Sequence, residues 1–175
     1  MNSDRAIALR RGALLVFAIL VLQVGVVSDL EAFGAFGDLV LLTAIAAGSV
    51  GGADRGATYG FCAGLAYDLL LDTPFGLSAL VYALVGYGVG MAATWVLQPR
   101  WWFHLLTAFV GSVTAVLLAV AVTRLMGSEY PADEVTRIAS VVAAWNVALI
   151  LPARRLLQWA VGDDRSERYR IATIG

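Results

Sequence analysis

The chain has 175 residues, of which 60% are hydrophobic and 14% charged, and its mean hydropathy is +0.80. Ordinary soluble domains are only about 45–50% apolar, so this composition indicates an integral membrane protein. The net charge of −1 gives no reason to expect a nucleic-acid partner, and a single cysteine excludes a disulfide framework within the chain.

Six apolar segments predict an all-α, six-helix transmembrane bundle that forms a single membrane domain over 1–175. Their approximate bounds are 12–28, 37–53, 56–72, 74–98, 103–124 and 137–153. Pro152 is expected to stop or kink the sixth helix. The remainder, 154–175, is therefore predicted to form a cytoplasmic amphipathic turn followed by a polar tail.

The first and sixth segments each carry one amide side chain inside an apolar run. Gln23 lies in the outer half of the first segment, and Asn146 lies midway along the sixth. An amide in lipid favours a hydrogen bond to another helix. We therefore expect each of them to connect two helices, with a ligand contact as the alternative.

The third segment carries a row of small residues that ends in carboxylates. Gly56, Gly60 and Gly64 are four residues apart, and the row continues to Asp68 and Asp72. Residues four apart are neighbours on one helix face, and small side chains allow another helix to approach closely in lipid. The row is therefore predicted to be a packing surface.

Asp68 is the candidate functional residue of this row, because an ionisable group within a membrane helix is by default a functional hypothesis. One interpretation is structural: its carboxylate would accept hydrogen bonds from the free amides at the start of the fourth helix. The other is a carboxylate that binds a partner or responds to protons, coupled to the like charge of Asp72.

The third and fourth segments are joined by a short turn. Thr73 followed by Pro74 is typical of a helix start, so the fourth helix is predicted to begin at once. Gly86 and Gly90 would offer a smooth surface to the glycines of the third helix.

The fifth segment has a second row of small residues at Gly111, Ala115 and Ala119. We expect this row to receive the membrane helix of a partner. At the start of the same segment, His104 follows Trp101 and Trp102 and is expected to lie with them in the interfacial aromatic belt.

Arginine distribution predicts the orientation. With six spans and a cytoplasmic N-terminus, ten of the twelve basic residues lie inside, and only Arg124 and Arg137 lie outside. Both termini are therefore expected in the cytoplasm.

The middle of the chain carries a motif that resembles the rod-shape-determining MreD family. The matching residues are Gly60-Phe61, Gly64-Leu65, Asp68-Leu69-Leu70, Pro74-Phe75-Gly76-Leu77 and Ala79-Leu80. The resemblance implies a non-enzymatic subunit of the bacterial cell-wall elongation complex, located in the cytoplasmic (inner) membrane and without a cofactor. It also implies binding to the scaffold protein MreC, action with MreB and the peptidoglycan synthases, and a fold similar to the substrate-binding subunits of energy-coupling-factor transporters.

Two other function classes compete with this one. A vitamin-uptake subunit of the energy-coupling-factor type would share the size and the six spans, yet the first segment lacks the alanine pair spaced by four that such subunits carry, since Ala13 and Ala18 are five apart. A membrane-embedded enzyme needs a paired catalytic set on facing spans. One histidine with one cysteine supplies none, and in the Asp68/Asp72 pair Asp72 belongs to the turn. Contact with membrane lipid is expected in every case.

The orientation can be tested by cysteine accessibility in a Cys62→Ser background. Single cysteines at Glu31 and Asp133, which lie in the predicted outer loops, should react with an impermeant maleimide in intact cells. A cysteine at Asp164 should react only after permeabilisation, because the C-terminal tail is expected inside. Labelling at Asp164 in intact cells would contradict the six-span orientation.

Overall fold

The computed structural model describes residues 2–23, 25, 37–70, 75–96, 100–127 and 131–161. Within these ranges the regular secondary structure is helical. Six helices follow one another in the order α1 (Asn2–Leu22), α2 (Leu39–Gly51), α3 (Ala53–Asp68), α4 (Leu77–Trp95), α5 (Trp101–Leu125) and α6 (Ala132–Val161). The fold class is therefore all-α, as predicted.

Helix α2 forms the centre of the bundle. Every residue from Val40 to Val50 is buried, and α2 contacts each of the other five helices. A helix that is apolar on all sides needs protein or lipid all around it, and here neighbouring helices supply that cover. The short second segment of the sequence is thus a core helix.

Three helices within the described ranges, α4, α5 and α6, are long and apolar enough to cross a membrane. Helix α2 is apolar but has only 13 residues, which span about 20 Å at ~1.5 Å per residue. The hydrocarbon core is ~30 Å thick. The length and composition of α4, α5 and α6 therefore agree with an integral membrane protein.

The start of α4 differs from the prediction. Phe75 and Gly76 form a turn, and the helix begins at Leu77. Gly76 has a φ angle of 90°, a left-handed conformation that glycine adopts without steric cost. The predicted start at Pro74 is therefore wrong, because the chain first needs this left-handed residue to turn back; Asp72, Thr73 and Pro74 themselves lie outside the described residues.

The end of α6 also differs. Pro152 lies inside the helix, which continues to Val161, so the predicted stop at Pro152 and the separate amphipathic turn after it are wrong. Most of the residues after the proline favour helix. Leu157 is only 2% exposed and belongs to the hydrophobic core, so its burial favours continuation of the helix. The predicted polar tail, 162–175, lies outside the described residues.

The aromatic residues at the start of α5 divide between two environments. Trp101 and Trp102 are exposed, whereas His104 is 1% exposed and lies beside Phe103, with the two ring centroids 5.8 Å apart. The prediction of an interfacial position for His104 is therefore wrong. Its place on the helix turns it inward, away from the two tryptophans.

Candidate functional site

The glycines of α3 lie directly against the backbone of α4. A Cβ atom added at Gly56, Gly60 or Gly64 would come within 3.0 Å of a backbone atom of Gly86, Tyr82 or Ala79, respectively. At Gly64 the distance to the Ala79 Cα atom would be 2.7 Å. No side chain can occupy such a space, so we call this line of three backbone contacts the α3–α4 seam.

Helix α2 joins the seam at one point. A Cβ atom at Gly48 would meet the carbonyl oxygen of Gly86, and one at Gly56 would meet the Cα atom of Gly48. Three helices therefore meet at three glycines. Gly90, one turn beyond Gly86, lies against the backbone of Gly52 and Ala53 where α3 begins.

Asp68 closes one end of the seam. It is the last residue of α3, and its side chain is 4% exposed. The carboxylate accepts backbone hydrogen bonds from Gly76 (3.0 Å), Ser78 (3.2 Å) and Ala79 (3.3 Å) at the start of α4. These amides have no partner within the helix, and the positive end of the helix dipole favours the negative charge.

A second carboxylate was missed as a site by the sequence analysis. Asp38 caps α2 by accepting a hydrogen bond from the Leu41 amide at 2.8 Å, and it also accepts one from the Tyr82 hydroxyl of α4. Asp38 therefore fixes α2 to α4 beside the α3–α4 seam. The signal was present, since an aspartate directly before an apolar run is a usual helix cap.

Gln23 extends this polar end to α1. Its amide donates to the Gly37 carbonyl at 3.0 Å and accepts from the Leu39 amide at 2.8 Å, so the prediction that Gln23 connects two helices is confirmed. Tyr67 of α3 lies beside Gln23, near enough to Asp38 and Asp68 for their charges to act on it. The ends of four helices are thus held together by one polar cluster, which we call the polar cap: Gln23, Asp38, Tyr67, Asp68 and Tyr82.

The other predicted amide contact is also present. Asn146 of α6 is fully buried and donates to the Ser112 hydroxyl of α5 at 2.8 Å. This hydrogen bond joins two helices in the interior of the bundle, so the prediction for Asn146 is confirmed.

The small row of α5 lies inside the molecule. A Cβ atom at Gly111 would be 3.0 Å from Ile45 of α2 and 3.3 Å from Val85 of α4, and Ala115 is only 3% exposed. Ala119, one turn further, packs against the core. The expectation that this row receives a partner helix is therefore wrong, because the chain's own helices already fill the space in front of it.

The chemistry of the site is that of packing and helix capping. Among the residues that the structure describes, no group of three or more His, Cys, Asp or Glu could hold a metal ion. The α3–α4 seam and the polar cap bring together Gly60, Gly64, Asp68, Gly76, Gly86 and Gly90 of the predicted site. Two further members, Asp72 and Pro74, lie outside the described part of the chain.

Comparison with known proteins assigns the chain to a family. The family model described as rod shape-determining protein MreD matches residues 7–160, which is nearly the whole chain. The chain belongs to the MreD family. No curated protein and no solved structure matches it.

Membership of the MreD family gives the protein a role in rod-shape determination as a membrane component. The family is a shape-determining one and not a known enzyme family. The motif on which the resemblance rested, from Gly60 to Leu80, coincides with the α3–α4 seam and with the hydrogen bonds of Asp68. The family motif thus describes how two helices of MreD are packed and joined.

Replacement of Asp68 tests the polar cap. Asp68→Leu leaves three amides at the start of α4 without their acceptor, and leaving buried polar groups unsatisfied costs roughly 1–3 kcal/mol. Asp68→Asn keeps one acceptor oxygen and should lose clearly less. We expect the midpoint of thermal unfolding in detergent to fall in the order wild type, Asp68→Asn, Asp68→Leu.

The matched control is Asp54→Asn, which removes an exposed carboxylate from the first turn of α3 and should leave the midpoint almost unchanged. Unfolding of Asp68→Leu at the wild-type temperature would contradict the capping role. Loss of cell-shape complementation by a fully folded Asp68→Asn would show instead that the charge itself is required.

Proposed function

We propose that this MreD protein is a non-enzymatic inner-membrane scaffold subunit of the rod-shape complex and that it binds MreC through its membrane helices. Family membership supports the role in shape determination. The described structure supports a scaffold, because the glycines of the α3–α4 seam and the side chains of the polar cap join helices to one another. MreB and the peptidoglycan synthases are expected as further members of the same complex.

The observation that carries the proposal is the two-sided character of α4. One side faces α3 through Gly86 and Gly90, whereas Gly88 lies on the opposite side with no atom within 4 Å of an added Cβ. Ala92, one turn beyond Gly88, is also exposed. In lipid, such small residues let a second helix come close.

Large side chains border these two small residues. Tyr87 and Met91 are 45% and 42% exposed, and Trp95 is 82% exposed. Aromatic residues and methionine are enriched at protein interfaces. We therefore propose that the outer face of α4, defined by Gly88, Ala92, Tyr87, Met91 and Trp95, receives the membrane helix of MreC.

The six-span arrangement with both termini in the cytoplasm is part of this proposal. Arginine asymmetry supports it, and three of the six helices are long and apolar enough to cross a membrane. In this arrangement the polar cap lies towards the outer side of the membrane and α1 enters from the cytoplasm. The alternative function, a vitamin-uptake subunit, has no support from the family match, and no solved structure links the fold to energy-coupling-factor transporters.

The test is co-purification of MreC with leucine variants of two surfaces, the outer face of α4 and the α3–α4 seam. Gly88→Leu adds a side chain to the outer face of α4 and should abolish or strongly reduce MreC capture while the protein stays folded. Gly64→Leu breaks the α3–α4 seam and should instead lower the amount of folded protein. Ala121→Leu, at an exposed position of α5, is the matched control and should behave as wild type.

MreC capture is normalised to folded protein by size-exclusion chromatography with fluorescence detection. Normal MreC capture by Gly88→Leu would show that the outer face of α4 is not the surface that binds MreC. No capture by the unmodified protein would contradict MreC binding as a whole, whatever the variants do.

A further inference from the structure

A half-open apolar cavity of about 180 Å³ lies between α1, α2 and α6, outside the α3–α4 seam and the polar cap. Leu15 and Ile19 of α1, Leu39 and Leu42 of α2, and Pro152 and Ala153 of α6 line it. We call it the α1–α6 groove. An engineered apolar cavity of about 150 Å³ in another protein is large enough to bind benzene, so this groove has room for a short piece of hydrocarbon.

One end of the groove is basic and aromatic. Arg11 lies one helical turn before Leu15, on the same face of α1. Its guanidinium lies over the Trp159 ring of α6, with 5.4 Å from Cζ to the ring centroid. Both side chains are exposed, Trp159 by 69%. Arg155, which precedes Trp159 by about one turn of α6, is also exposed.

The continuation of α6 past Pro152 creates this arrangement. Had the helix ended at the proline, neither Leu157 nor Trp159 would lie beside the first half of α1. The 30-residue helix instead carries the groove wall and the basic end on one rigid element. In the proposed orientation, the basic end lies at the cytoplasmic surface, where anionic lipids attract Lys and Arg.

From this geometry we propose that the α1–α6 groove binds one anionic phospholipid of the inner leaflet. One acyl chain occupies the apolar cavity. The phosphate of the headgroup is held by Arg11, which Trp159 positions at the membrane surface. Basic pockets between membrane helices on the cytoplasmic side are a recurring form of anionic lipid site.

The dimensions favour a lipid chain over a partner's helix. An α-helix with its side chains is about 10–12 Å across, so a partner's helix would place only one or two side chains in a cavity of about 180 Å³. An acyl chain is much thinner and can follow the groove. The charge at the mouth also selects among lipids, because Arg11 attracts a net negative headgroup more strongly than a zwitterionic one.

The experiment measures lipid retention by native mass spectrometry of the whole protein, after exchange into micelles that contain phosphatidylglycerol or phosphatidylcholine. We expect one retained phosphatidylglycerol and a preference over phosphatidylcholine of about fivefold, the weight of one basic residue facing an anionic lipid. Arg11→Gln should abolish most of this preference. Arg11→Lys should keep it, because the positive charge remains.

Three further variants separate the contribution of the headgroup from that of the acyl chain. Ala153→Leu fills the cavity and should reduce retention of both lipids, whereas Ala144→Leu, at an exposed position of the same helix, should have no effect. Arg100→Gln removes another exposed arginine on the proposed cytoplasmic side. It is the control for a loss of positive charge away from the groove and should keep the lipid preference.

An unchanged preference in Arg11→Gln, which alters only an exposed side chain and should fold normally, would overturn the proposal. So would full lipid retention by folded Ala153→Leu. If Ala153→Leu keeps its lipid but no longer captures MreC, the groove belongs to the partner and the lipid assignment fails.

Discussion

The close approach of α3 to α4 is the constraint on which the rest of the structure depends. At Gly56, Gly60 and Gly64, backbone meets backbone, and an added methyl group at any of these positions would overlap the facing helix. Helices in lipid gain little from the hydrophobic effect between them and rely on dispersion contacts and hydrogen bonds. A long row of such contacts therefore sets the spacing of α3 and α4, and with Gly48 it also sets the position of α2.

The polar cap solves the problem that this tight packing creates at the helix ends. The free amides at the starts of α2 and α4 lie inside the protein, and buried amides without acceptors cost roughly several kcal/mol each in an apolar surrounding. Asp38 and Asp68 supply acceptors to α2 and α4, and Gln23 supplies one to Leu39. The same side chains also connect α1 and α3 to the starts of α2 and α4. The hydrogen bonds that satisfy the backbone amides therefore also fix the positions of the helices.

The sequence alone predicted those parts of this arrangement that follow from the spacing of residues along a helix. Small residues four apart predicted a close helix contact, and Gly60, Gly64, Gly86 and Gly90 do lie at such contacts. The interhelical roles of Gln23 and Asn146 followed from the cost of an unpaired amide in lipid. The family was also recognisable, because its motif coincides with the glycines and the carboxylate that the packing requires.

Other features depend on which helix lies opposite, and a single sequence does not carry that information. The row at Gly111 and Ala115 has the spacing of a contact surface, but only the fold shows that Ile45 and Val85 fill it. His104 closely follows the exposed Trp101 and Trp102, yet its angle around α5 directs it inward. A proline usually ends or kinks a helix, but α6 continues past Pro152, and the burial of Leu157 outweighs the preference of the proline.

A double-mutant cycle at the crossing of α3 and α4 tests the central claim most directly. Gly56→Ala and Gly86→Ala each force apart the same pair of backbones, so the first substitution already creates part of the space that the second needs. The free energy of unfolding lost by the double variant should be smaller than the sum of the two single losses by at least ~0.5 kcal/mol, as for residues in contact. Gly56→Ala combined with Gly88→Ala, which faces open space, should be additive. Additive losses for Gly56 and Gly86 would contradict the account, because they would mean that the two glycines do not share one contact.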